Sequence, residues 1–251
     1  RITLLSNRFV ALGEAYYLTH DKRYADYMKE QLKVWFVNKR TRMNPNFTHG
    51  QFIPGLRKGL GFTGAISEAY FLNNILECIA IMEQQGDMDR KLNKKLRNWF
   101  SQLSVWLQTS TLGNEMHDVK DNHAVMYDVL LYRIAMYTGD VETRQKIIRE
   151  FPSLRLAKHI ADDGSQPLEL KRSKAMMYSI YNLQHIVDLC LMIQNDGIDY
   201  YSQNRQSIDA AFAFIQHYID KPKAFPYEEI GDWNLYQRQF AKLKRQKSLL
   251  H

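Results

Sequence analysis

The sequence predicts an all-α protein built from antiparallel helix pairs, packed side by side as a solenoid or closed into a toroid. Three observations predict it. Only 12 Gly and 6 Pro interrupt 251 residues, and apolar residues recur at three- and four-residue spacing through most of the remainder. A similar joint also returns roughly every 50 to 65 residues. It is read in YYLTHDKRYADYM around Asp21, IAIMEQQGDMDRKL around Asp87, IAMYTGDVETRQKI around Asp140 and LMIQNDGIDYYSQ around Gly197. In each, an apolar helix end meets a short Gly, Asp or Asn turn and a new amphipathic helix follows.

In chain order, the first joint closes a helical hairpin, and the stretch behind it breaks the pattern. Residues 39–64, KRTRMNPNFTHGQFIPGLRKGLGFTG, hold two Pro and five Gly and lack a helical period. An irregular stretch this long inside a helical array is a functional loop or a disordered one. Met43, Phe47, Phe52 and Ile53 among its turn residues favour an ordered, packed loop. KLNKKLRNW (91–99) reads as a basic, solvated helical face. DVKDNHAVMYD (118–128) opens a helix running to Met136, with Asp118 or Asp121 as its N-cap. A second irregular stretch, 159–173, precedes the helix KAMMYSIYNLQHIVDLCLMI, for which Ser173 is the expected cap, and a third lies at 221–233.

Length and composition suit one large domain spanning 1–251 with a sizeable core. The chain opens at Arg1 with neither a Met nor a charged-then-apolar leader, which reads as a processed or truncated piece of something longer. No apolar run is expected to reach the ~18 residues of a membrane span. Cys78 and Cys190 sit in apolar helical patterns and read as buried hydrophobes, not a disulfide or metal knuckle. A net charge of +7 favours acidic partners: nucleic acid, anionic lipid or acidic polysaccharide.

Two constellations carry candidate chemistry. With Asp121 as cap, Asn122 and His123 fall in the first helical turn, where free backbone N–H groups and the helix dipole attract an anion and disfavour imidazolium. The bland alternative is that Asn122 satisfies the turn and His123 is a half-buried polar residue. In the second, Tyr178, Asn182 and His185 share a helix face, with Arg172 at the helix entrance; a guanidinium beside a phenol stabilises phenolate and makes Tyr a proton shuttle. Lys171 shares that face if the helix begins earlier, so spacing leaves the choice of cation open. Tyr and Arg on such a helix are also common at interfaces. His117, Asp118, Asp121 and His123 fit no closed zinc or calcium spacing. No G-x-S-x-G nucleophile motif or phosphate-cradling glycine loop is present.

ALGEAYYLTHDKRYADYMKEQLKVWF, TRMNPNFTHGQFIPG, DNHAVMYD and QPLELKRSKAMMYSIYNL, in that order, resemble the alginate lyase family of polysaccharide lyases, most closely the branch near polysaccharide lyase family 38 and more distantly family 5. The resemblance implies an (α/α) toroid or incomplete barrel. It also implies β-elimination on an acidic uronate polymer, mannuronate-type alginate or glucuronan, without a metal or other cofactor. The family's Asn-His pair corresponds to Asn122 and His123, and its Arg and Tyr to Arg172 and Tyr178. The Arg-to-Tyr interval is six residues here against seven in family 5. Asn44, His49 and Gln51 match a substrate-groove segment; Lys171, Tyr127 and Asn182 are expected to line the substrate beside the four catalytic residues. The implied partner is an acidic polysaccharide rather than nucleic acid or a membrane, and the implied location is periplasmic or secreted.

β-Elimination must remove the weakly acidic C5 proton beside a carboxylate, stabilise the resulting dianion and protonate the departing O4. Asn122, His123 and Arg172 supply the donors and charge, each worth about 3 kcal/mol. Tyr178 is the acid to O4 and, where C5–H lies on the leaving-group side, also the base; for the opposite geometry the base is His123 or His49. Two rivals remain. One is a non-catalytic helical-repeat module that binds polyanions. The other is a glycoside hydrolase using a carboxylate pair such as Glu169 and Asp163.

Overall fold

A computed structural model describes residues 2–250, and among them the regular structure is helical, with no strand beyond one isolated bridge between Lys174 and Glu229. The all-α class is as the sequence predicts. The chain divides into two compact units: one runs to His117 and includes Leu130–Arg144, the other comprises Asp118–Val129 and Gln145 onward.

The first unit contains α1 (Ile2–Thr19), α2 (Lys22–Leu32), α3 (Gly64–Ala69), α4 (Leu72–Gln84), α5 (Arg90–Thr109), α6 (Thr111–His117) and the C-terminal part of α7 (Asn122–Thr138). Helix α1 packs on α2 and α4. The α1–α4 approach is close because Gly13 faces Cys78: a Cβ there would lie 2.6 Å from the Cys78 sulfur. Cys78 and Cys190 are both free and buried. Against the expectation that no apolar run reaches a membrane span, residues 64–84 are long and apolar enough to cross a bilayer by composition, and half of that window is buried. Its apolar face packs against α1.

The joints share one local chemistry. Gly86, Gly139 and Gly197 each adopt a left-handed conformation (φ 76°, 79° and 80°). The next residue's N–H returns to the preceding helix: Asp87 to Met82, Asp140 to Ala135 and Ile198 to Ile193. Asp89, Asp140 and Asp199 then accept from backbone N–H groups of the following helix. At the first joint His20 takes the glycine's place at φ 56°, and Asp21 is the cap.

The 39–64 segment is ordered, as expected, but its backbone and a few anchors order it. Trp99 Nε1 donates to the Met43 carbonyl at 2.9 Å, and Phe47 is buried against Trp106. Gly61 and Phe62 donate to the Thr48 and Gly50 carbonyls. Arg57, left-handed at φ 50°, is held by Glu115 at 2.5 and 2.7 Å. The expectation that Phe52 and Ile53 pack inward is not met: they are 47% and 49% exposed.

The second unit holds the start of α7, α8 (Val141–Phe151) from Gln145 onward, α9 (Ala157–His159), α10 (Ala175–Asn195), α11 (Tyr200–Gln203), α12 (Arg205–Ile219) and α13 (Trp233–Lys247), with α10 packed on α12 and α13. Gly164 brings the 159–173 segment against the α12 backbone, where a Cβ would lie 2.0 Å from the Ala210 carbonyl oxygen.

The joints make a paired prediction. His20→Gly removes a left-handed non-glycine residue and raises the unfolding free energy by about 0.5–1 kcal/mol, whereas Gly86→Ala lowers it by about 1 kcal/mol, both read from urea transitions. Gly86 has open space around its Cβ position, so the cost there is backbone conformation alone.

Candidate active site

The first turn of α7 supplies Asn122 and His123, as the sequence predicts, but its N–H groups are not left for an external anion. Glu169, 1% exposed, accepts from the Asn122 backbone N–H at 2.7 Å and from its side-chain Nδ2 at 2.7 Å. Asp121 accepts from the His123 backbone N–H at 3.1 Å and from His123 Nδ1 at 2.7 Å. A carboxylate only accepts, so these bonds fix both groups: the Asn122 amide turns its nitrogen to Glu169, and His123 carries a proton on Nδ1. Neutral His123 therefore has its lone pair on Nε2.

The turn Gln166–Arg172 delivers Glu169 and Arg172 together. Glu169 and Leu170 donate their N–H groups to the Gln166 carbonyl, and Arg172 donates to that of Glu169. The Arg172 guanidinium lies 3.6 Å from Asp121 and 3.9 Å from Glu169, and 3.4 Å from the centre of the Tyr178 ring. Such a cation over a ring face is held by the ring quadrupole. Arg172 is partly buried while Lys171 is exposed, so Arg172 is the cation that joins the cluster.

Helix α10 starts at Ala175 rather than at a Ser173 cap. Its leading N–H groups are filled by Glu229 from the 221–233 segment, which accepts from Met176 at 2.9 Å and Met177 at 3.4 Å. Ser173 instead offers its carbonyl to the Ile230 N–H. One turn on, Tyr178 is half-buried, with its ring 6.5 Å from that of the exposed Tyr181. Among the described residues the Tyr178 hydroxyl has no protein hydrogen-bond partner.

Asn122, His123, Arg172 and Tyr178 are thus gathered in one unit through Asp121 and Glu169. Asn122 is itself 2% exposed, and Tyr127 and Asn182, expected to line the substrate, are 3% and 0% exposed. Asn182 Nδ2 donates to Gln166, whose own amide donates to the Ser179 carbonyl, a buried clamp between the 159–173 segment and α10. Asn44, His49 and Gln51 lie on the surface of the first unit. There His49 Nδ1 donates to the Gly59 carbonyl and Gln51 to Glu68. The carboxylate pair considered for hydrolysis is occupied otherwise, Glu169 by Asn122 and Asp163 by the Ser165 N–H in an exposed turn. Among the described residues no group of three or more His, Cys, Asp or Glu side chains converges on a metal position.

Burial raises the Glu169 carboxyl above its usual range against the pull of the Asn122 bonds. Burial pushes Asp121 the same way, but its bonds to His123 and the nearby Arg172 outweigh that and hold it below the usual carboxylate range. Two buried imidazoles stand behind the site. Burial and the Arg155 charge push His159 down to about 4, and burial and His123 push His185 down to about 3. Beneath α7, Arg155 forms a buried ion pair with Asp128 at 2.8 Å.

An all-α unit that gathers an imidazole, a guanidinium and a phenol from two helix starts and the turn between them has the groups for acid–base work on an anionic substrate. The alginate lyase family model matches residues 1–225, and the chain belongs to that family. It is 38% identical to the crystal structure of an alginate lyase from Bacteroides ovatus, with a TM-score of 0.92 over 99% of this chain. The chain spans 66% of the length of that protein. Comparison with curated proteins finds no match.

His159 gives the site unit an acid-labile component. Its folded value near 4 lies below the ordinary 6.5, so the unfolded chain binds the proton more readily. Its contribution is complete above pH 6.5 and is lost as pH falls towards 4, by about 3 kcal/mol. Urea titrations at pH 7 and 4 are expected to show a smaller acid-induced loss in His159→Gln than in the parent; equal losses would exclude this role.

Proposed function

We propose that this chain carries the catalytic centre of a polysaccharide lyase that cleaves a uronate polymer, mannuronate-type alginate before glucuronan, by β-elimination. The observation that carries the reading is the joint placement of Arg172 over Tyr178 and beside the Asp121–His123 pair, on the same turn that fixes Asn122.

Arg172 neutralises the uronate carboxylate, which lowers the energy of the dianion formed at C5. Glu169 holds the buried Asn122 amide in place behind it, with the amide dipole turned to Glu169, so no reorganisation is needed as charge develops. His123 is oriented by Asp121 and donates or accepts through Nε2 as its protonation dictates. Tyr178 takes the C5 proton of a mannuronate-type residue as phenolate and delivers it to O4. The C5–H bond breaks, a C4–C5 double bond forms and the C4–O4 bond is released, so the enzyme returns to its starting protonation state. For a substrate with the opposite C5 configuration, His123 is the base and Tyr178 the acid.

The hydrolase reading loses support because Glu169 is buried and spent on Asn122. A purely binding module gives no reason for a half-buried tyrosine without a protein partner for its hydroxyl, under a guanidinium that also reaches the Asp121 that orients His123.

With polymannuronate the parent protein should generate unsaturated uronate ends, read as rising ultraviolet absorbance, equally with and without chelator. Tyr178→Phe is expected to lower kcat by about 10²- to 10⁴-fold. Arg172→Ala should lower kcat/KM by about 10²- to 10³-fold. Unsaturated product formed at the parent rate by Tyr178→Phe would remove the phenol from the reaction.

A further inference from the structure

The first unit holds a concave surface that shares no residue with the cluster above, a groove of about 680 Å³. Five cations line it: Lys39 and Arg42 from one wall, and Lys91, Lys94 and Lys95 from α5. No Asp or Glu lines it. All five side chains are exposed, and among the described residues none of them is ion-paired.

The walls are built and held. On α5, Lys91, Lys94, Lys95, Asn98 and Gln102 follow the three- and four-residue spacing of one helix face, over about 16 Å of helix axis. The opposite wall follows the π-helical turn Lys33–Val37. Asn38 closes that turn: its carbonyl accepts from the Thr41 and Arg42 N–H groups and its side chain from the Arg40 N–H. Trp99 then fastens the wall to α5 through the Met43 carbonyl. Like charges at i, i+3 and i, i+4 repel on a helix, so three unpaired lysines on one face cost stability until an anion lies over them.

The occupant is constrained by what the groove lacks. Grooves that hold single-stranded nucleic acid offer aromatic faces on which bases stack. Here Phe36 and Trp99 form the floor at 1% and 3% exposed, and the Trp99 N–H is already committed. What remains on offer is ammonium, guanidinium and side-chain amide, which suit carboxylates and hydroxyls repeated along a sugar-acid chain. We infer that this groove is a non-catalytic anchoring site for an acidic polysaccharide, holding the polymer by its carboxylates. The identity of the polymer rests on the function proposed above; the groove's preference for a carboxylated sugar chain over nucleic acid rests on its own lining.

The test uses the full chain carrying Tyr178→Phe, so that polymer is not consumed, with and without Lys91→Gln, Lys94→Gln and Lys95→Gln together. These lysines are exposed, and a melting curve confirms that the variant folds. Affinity electrophoresis in polymannuronate at low salt should show binding weakened roughly five- to tenfold by the triple change, with the difference shrinking as salt rises. Unchanged binding would overturn the inference. Equal lysine-dependent binding of single-stranded DNA would overturn the assignment to polysaccharide. Uronate cleavage by the Tyr178 parent together with lysine-independent binding sinks the groove and leaves the lyase reading standing; lysine-dependent binding without cleavage does the reverse.

Discussion

The site depends on one buried carboxylate. Glu169 reaches the start of α7 and takes both the backbone N–H and the side-chain amide of Asn122. A carboxylate so deeply buried is tolerable only if its oxygens are paired, and leaving the Asn122 groups unmatched in the same place would cost about 1–3 kcal/mol each. The pairing therefore fixes where the 159–173 segment can lie. Once that segment is fixed, Arg172 follows three residues on, close to Asp121 and over the ring of Tyr178. The arrangement at α10 repeats the device. Glu229 fills its first N–H groups, and the Gln166–Asn182 pair clamps the same segment from the other side. Remote carboxylates occupying two helix starts turn two mobile-looking stretches into a rigid frame.

That frame separates orientation from chemistry. Asp121 and Glu169 are both carboxyl groups in a site read as receiving an anion, and their use is to aim His123 and Asn122. The groups with surface to meet a sugar acid are Arg172, Tyr178 and His123, whereas Asn122, 2% exposed, stands behind them. The buried imidazoles His159 and His185 stay uncharged around neutrality because burial disfavours their cations, so they add no positive charge behind Arg172.

Much of this was legible in the sequence where the physics is local. The Gly, Asp and Asn turns of the joints are set by φ and by hydrogen bonds within a few residues, and they were readable as punctuation, though not which aspartate caps each following helix. The Asn122–His123 helix start and the Tyr178 face were readable for the same reason. What was not readable is carried by long-range partners. Nothing near Asn122 indicates that Glu169, 47 residues on, fills its turn; nothing near Ser173 indicates that Glu229, more than 50 residues on, displaces it as the cap. Tyr127 and Asn182 fell on plausible faces, but helical spacing does not tell which of two polar faces is turned inward. The exposed Phe52 and Ile53 show the same limit in a loop, where composition suggested packing that the backbone hydrogen bonds supply instead.

The most direct test is a crystal structure of the Tyr178→Phe chain with a mannuronate oligosaccharide bound. The account predicts one uronate carboxylate at hydrogen-bonding distance, about 3 Å, from the Arg172 guanidinium, with Asn122 still held by Glu169 and the glycosidic oxygen facing the ring at position 178. An oligosaccharide lying elsewhere, with Glu169 released from Asn122 or Arg172 turned away from the sugar acid, would contradict it.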